Sequence, residues 1–314
     1  MRGKEGVMME IRRILCPTDL SEPSRHALDH AVALAHFSRA TVSLLYVHPT
    51  VTVTAYAPGI PLLPGATLTP PDEQAVLQSL RDFAGEASGT AVSFEYVLRH
   101  GDAAREITEE ATQSDAGLIV LGTHGRSGFE HLVMGSVAEK VLRKARCPVM
   151  TVPPRVGDLV PLPTTLFGRV LCAIDFSDSS IRALEHATSI AQEAGGQLVV
   201  MHVLELLPED VGLDTSWATQ RTVADYFNIA RADRQARLDA AVPSAVRERC
   251  EVHTVMATGR AYREILREAA ERRSDLIVLG VHGRNPLDLL LFGSTTHEVF
   301  RRASCPVLTV RTNG

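Results

Sequence analysis

Arg13-Ile14-Leu15-Cys16-Pro17-Thr18-Asp19-Leu20-Ser21 returns 156 residues later as Arg169-Val170-Leu171-Cys172-Ala173-Ile174-Asp175-Phe176-Ser177. A short apolar run that ends in Asp and Ser reads as a strand feeding a capped helix. Ser21 is placed to cap, Glu22 and Pro23 suit the first turn, and Leu28, Val32 and Ala35 form the apolar face. Ser177 starts its counterpart in the same way. Later landmarks recur too: Gly101 with Arg105-Glu106-Ile107 matches Gly259 with Arg263-Glu264-Ile265, and Cys147-Pro148-Val149 matches Cys305-Pro306-Val307 at an offset of 158. Two extra residues therefore lie in the middle of the second copy. Between the copies, the four prolines from Pro153 to Pro163 favour an extended spacer. The expected organisation is a domain at 10–153, a Pro-rich linker at 154–167 and a second domain at 168–312.

Inside the first copy, β-branched apolar runs alternate with segments of helical period. Strands are expected at Ile11 to Cys16, Thr41 to Val47, Ala91 to Leu98, Gly117 to Leu121 and Pro148 to Val152. This is the pattern of an α/β fold, a parallel sheet with helices on both faces. Right-handed crossovers make it an open doubly wound sheet whose ligand crevice lies at the carboxyl ends of its strands.

At those ends stand the candidate site residues. After the fourth strand comes Gly122-Thr123-His124-Gly125-Arg126-Ser127-Gly128, and nine intervening residues separate Gly125 from Gly135-Ser136, which open the last helix. The second copy has Gly280-Val281-His282-Gly283-Arg284 and, at the same spacing, Gly293-Ser294. Glycines let the backbone approach an anion, and a helix N-terminus adds partial positive charge, so the pattern is that of a phosphate cradle. It lacks the Lys of a Walker A loop and the spacing of a GxGxxG fingerprint. Duplication with unchanged spacing strengthens the reading.

Composition narrows the function. The chain has 314 residues, 45% of them hydrophobic and 22% charged, with a formal net charge of −5, which is globular and gives no general attraction for nucleic acid. No basic patch is present. The residues before Ile11 lack the apolar core of a signal peptide, and no stretch is long and apolar enough to span a bilayer, so no membrane partner and a cytoplasmic location are expected. The five cysteines are too few and too scattered for a disulfide framework, and Cys16, Cys172, Cys147 and Cys305 fit buried structural thiols better than redox sensors. Only Lys4, Lys140 and Lys144 are lysines, so nothing in the second copy supplies a phosphate-clamping lysine.

From about Ile11 to Val310 the sequence resembles the universal stress protein family in its tandem form, in the branch that carries the Gly-x2-Gly-x9-Gly-Ser/Thr signature of ATP binding. The resemblance implies two Rossmann-like, adenine nucleotide alpha hydrolase-like domains, each with strand order 3-2-1-4-5. It implies a bound adenine nucleotide (ATP, ADP or AMP), with Mg as an optional companion ion. Carried over position by position, the family's acidic residue falls on Asp19 and Asp175, and the backbone contact to adenine on Val47 and Val203. Gly122 and Gly280 would lie against the ribose. Gly125, Gly135, Ser136 and Val137, with Gly283, Gly293, Ser294 and Thr295, would cradle the phosphates. The second copy departs at Asn285-Pro286, where Pro286 offers no amide donor.

Each of these residues also has a plainer reading. Asp19 and Asp175 make good turn chemistry before Ser, though their place at the strand ends favours a ligand. Arg126 and Arg284 are equally phosphate partners or solvated charges. His124 and His282 recur without a second ligand at fixed spacing, so loop packing is favoured, as it is for His30 and His186 within the first helices.

The favoured function is a nucleotide-binding stress or signalling protein whose occupancy regulates its shape or partners, with no catalytic residues and no metal site assigned. The alternatives are a slow ATPase or an enzyme autophosphorylated on Ser136 or Ser294, and a scaffold with one competent repeat or none. Two further expectations concern assembly. The fifth strands lack the charges that protect an edge, so the repeats should pair through them as an intramolecular pseudo-dimer, like the family's dimers. The uncharged stretch from Thr50 to Pro70 should form a lid or a homodimer surface.

Overall fold

A computed structural model describes residues 11–50, 72–85, 92–123, 135–154, 167–205, 220–281 and 293–311. The first repeat runs β1 (Arg13–Thr18), α1 (Glu22–Ser38), β2 (Thr41–His48), α2 (Glu73–Gly85), β3 (Phe94–His100), α3 (Ala103–Gln113), β4 (Leu118–Gly122), α4 (Ser136–Lys144) and β5 (Val149–Val152). The second runs β6 (Arg169–Ala173), α5 (Asp178–Ala194), β7 (Gln197–Leu204), α6 (Gln220–Ala241), α7 (Ser244–Arg247), β8 (Glu251–Thr258), α8 (Ala261–Glu271), β9 (Leu276–Val281), α9 (Ser294–Arg302) and β10 (Val307–Arg311).

The strands join in one sheet of order β3-β2-β1-β4-β5-β10-β9-β6-β7-β8, so each half follows 3-2-1-4-5. Pairing is parallel within each half. β1 lies two residues later than expected and runs through Pro17. The sheet tolerates this because β4 pairs with β1 at Ile14 and Leu15, leaving Pro17, which has no N–H, beside β2.

The alternation of side chains divides the core into two layers. Ile14, Cys16, Leu44 and Leu118, with Val170, Cys172 and Leu198, pack under α1, α2, α5, α6 and α7. Leu15, Leu45 and Ile119, with Leu171, Val199 and Ile277, pack under α3, α4, α8 and α9. Both helices begin after the expected serine: at α5 the Ser180 N–H donates to Ser177 Oγ at 3.3 Å, whereas at α1 the Ser21 N–H donates to Ser24 Oγ at 3.1 Å and the Ser21 hydroxyl bonds Asp19.

The halves meet where β5 and β10 pair antiparallel, Thr151 opposite Val307, Met150 opposite Leu308 and Val149 opposite Thr309. Thr309 Oγ1 donates to the Val149 carbonyl at 3.0 Å, so this buried hydroxyl is satisfied across the seam. Antiparallel pairing reverses one half relative to the other. The carboxyl ends of β1–β5 and those of β6–β10 therefore lie on opposite edges of the sheet.

Candidate functional site

The site is built at the carboxyl end of each half, beginning with the turn that leaves the first strand. Asp19 Oδ1 accepts the Ser21 N–H at 3.1 Å and also bonds the Ser21 hydroxyl. Asp175 Oδ1 accepts the Ser177 N–H at 3.0 Å and the Ser177 hydroxyl at 2.5 Å. The residue between them, Leu20 or Phe176, is held at φ 63° in both repeats. A left-handed leucine or phenylalanine costs roughly 1–3 kcal/mol and persists only where its surroundings enforce it. The turn chemistry expected of both aspartates is thus present.

Val47 and Val203 pack their side chains, partly buried, against the layer under α3 and α8. One residue on, the His48 carbonyl accepts the Gly101 N–H at 3.0 Å, and the Leu204 carbonyl accepts the Gly259 N–H at 3.2 Å. These glycines sit at φ 141° and 144°, a conformation that side chains rarely adopt.

Beyond β4, the Thr123 N–H donates to the Val152 carbonyl at 3.0 Å and the Gly135 N–H to the Thr123 carbonyl at 2.8 Å. Gly122 and the start of α4 are thereby brought together, while Gly125, Arg126, His124 and their counterparts Gly283, Arg284, His282 and Pro286 lie outside the described residues. Gly135 is the N-cap of α4 and Gly293 that of α9, and a glycine brings no capping side chain of its own. Side chains cap other starts: Asp102 caps α3 by accepting the Arg105 N–H at 3.0 Å, and Glu205 accepts the Ala261 N–H at the head of α8 at 2.7 Å. Ser136, Val137, Ser294 and Thr295 occupy the first turns, where the amides and the helix dipole favour an anion.

Gly280 has a structural reason for its identity. A Cβ there would stand 2.4 Å from the Ser180 amide nitrogen, because the first turn of α5 presses on the end of β9. Close packing of helix on strand accounts for this glycine, and its expected ribose contact stays a separate matter.

Sequence reasoning missed His202. It lies on β7 where repeat one has Tyr46, and its Nδ1 is 2.8 Å from the Ile174 carbonyl oxygen. Its ring packs 4.6 Å from that of Phe176, over which the Arg237 guanidinium stands at 4.4 Å. Burial lowers the His202 pKa, and Arg234 and Arg237 add to that against the opposing pull of the Ile174 carbonyl and Asp175. The signal available in sequence was the mismatch between the copies at this position. His30, by contrast, is buried in α1 with Nδ1 2.9 Å from the His26 carbonyl, a packing role as expected.

Burial pushes the thiols of Cys16 and Cys172 far up, Cys147 to about 11 and Cys305 to about 12. Among the described residues no three His, Cys, Asp or Glu side chains are grouped to hold a metal ion. An open groove of about 660 Å³ lies away from these sites, at the amino ends of β6, β7 and β8 beside Gly168, Gly196, Arg247 and Arg249. Its two arginines are exposed. No helix among the described residues is long and apolar enough to cross a membrane.

The Universal stress protein family model matches residues 10–153 and again 166–311. Over 305 residues the chain is 27% identical to a universal stress protein of Mycolicibacterium smegmatis, covering 95% of this chain and 96% of that one. It is 32% identical over 151 residues to Universal stress protein YxiE of Bacillus subtilis, which spans 46% of this chain and all of the relative. In structure it resembles a universal stress protein from Archaeoglobus fulgidus with a TM-score of 0.62 at 23% identity, over 97% of this chain and 99% of that one. With the duplicated strand order and the double match in view, the chain belongs to the universal stress protein family.

Proposed function

We propose that each repeat binds one adenine nucleotide and that occupancy regulates the conformation or the partners of the protein. The supporting observation is the pair of helix starts at Gly135 and Gly293, whose N-cap glycines bring no capping side chain of their own, the first of them hydrogen-bonded to the Thr123 carbonyl just past β4. In this reading the phosphates lie on the amides of Gly135-Ser136-Val137 and of Gly293-Ser294-Thr295, and Gly125, Arg126, Gly283 and Arg284 are the further expected phosphate contacts. Asp19 and Asp175 hold the adenosine, beside Val47, Val203, Gly122 and Gly280. Any Mg ion would arrive with the phosphates.

Gly293→Asp tests this directly. Among the described residues nothing lies within 4 Å of a Cβ placed at Gly293, so an aspartate fits, caps α9 and stabilises the fold by roughly a few tenths of a kcal/mol. Its carboxylate would stand where a phosphate belongs. Calorimetry with ATP should give two sites in the natural chain and one in the variant, together with a raised melting temperature. A more stable variant that still takes up two nucleotides would overturn the assignment.

A further inference from the structure

We infer that Arg311, the last residue of β10, is a positioning residue through which the second repeat holds the cradle helix of the first. Its Nη2 donates to the Leu142 carbonyl at 2.6 Å. Leu142 lies in the last turn of α4, whose closing carbonyls have no amide partner within the helix. A cation there completes the negative end of the helix dipole. The contact is made across the seam, between residues 169 apart in sequence.

The register of Arg311 gives the contact a second end. Its Cα pairs with Val281, the last residue of β9, immediately before His282-Gly283 of the second repeat. Because the seam is antiparallel, the carboxyl edge of the second repeat borders the C-terminal end of α4. The N-terminal end of the same helix is Gly135-Ser136, the candidate cradle of the first repeat. Nine residues at 1.5 Å each make α4 a rod of roughly 14 Å between the two rims. The equivalent position in the first repeat is Pro153, which carries no cation, so the reciprocal contact cannot form. The contact thus joins the rim of β9 and β10 to α4 through Arg311. As binding linkage it is reciprocal.

Coupling between the sites rests on the proposed nucleotide binding, whereas the clamp on α4 is tested without it. Hydrogen exchange of residues 136–144 in the nucleotide-free full chain should quicken in Arg311→Met, which keeps the apolar stem, and recover in Arg311→Lys. Unchanged exchange in Arg311→Met would overturn the clamp. In the Gly293→Asp background, which leaves only the first site, Arg311→Met should weaken ATP binding about two- to fivefold, the range set by one cation at a helix terminus. In the chain with both sites intact, filling the second should tighten the first, and Arg311→Met should abolish that effect. Binding identical to the parent chain in both comparisons would overturn the coupling alone. A parent chain that binds no ATP would overturn the nucleotide reading and the coupling with it, and the exchange result would stand by itself.

Discussion

A methyl group added to Gly280 has nowhere to go, because the obstructing atoms at 2.4–2.6 Å belong to the backbone of Ser179 and Ser180. Gly280→Ala should therefore destabilise the second repeat by about 1–3 kcal/mol, seen as a lower urea midpoint. Asp175→Ala removes the acceptor of two hydrogen bonds that hold Phe176 in its left-handed conformation, and should cost about 1–3 kcal/mol by the same measurement, where Asp175→Asn costs less. The aspartates, serines and glycines of these turns were legible because each is chosen for its own backbone geometry, and that preference is local. The Arg311 contact was not legible. It depends on two segments 169 residues apart meeting across a seam, and no local pattern encodes that.

At the scale of elements, α6 is where the repeats differ most among the described helices, with 22 residues against 13 in α2. It brings Arg234 and Arg237 over β7, and His202 answers to them. The folded pKa of His202 lies below its ordinary 6.5, as does that of His186, lowered by burial and then by Arg182. Between the lowered value and 6.5 the unfolded chain binds protons that the folded chain refuses, so stability rises with pH through that window and falls on acidification. Thermal melts should accordingly drop from about pH 7.5 to about pH 5.5, and His202→Tyr, which restores the residue of the first repeat, should flatten the drop. A variant with the same slope as the parent would assign the effect elsewhere. The strands themselves were readable from their β-branched runs, with boundaries displaced by up to three residues. Burial under α6 was not readable, because the periodicity of a helix does not say which strand lies beneath it. The stretch Thr50 to Pro70, expected to be a lid or an assembly surface, is described only at Thr50.

The whole molecule is one sheet only because two unprotected edges meet. Val149 and Val307, each about 2% exposed, lie within the three residue pairs of that contact. Val149→Lys with Val307→Lys would bury two like charges there, and small-angle scattering should show the halves parting while circular dichroism keeps its helical signal. An unaltered profile would show the seam to be indifferent to charge. Paired fifth strands were expected from sequence because neither carried a protecting charge; the opposed direction of the two crevices came only with the register. Because the seam lies within one chain, the two surfaces that form it are never at the mercy of mass action. Two separate single-repeat subunits would part on dilution below their dissociation constant, whereas a tether of this kind keeps the partner at an effective concentration in the millimolar range. The pairing of its two halves should thus be the same when the protein is scarce as when it is abundant.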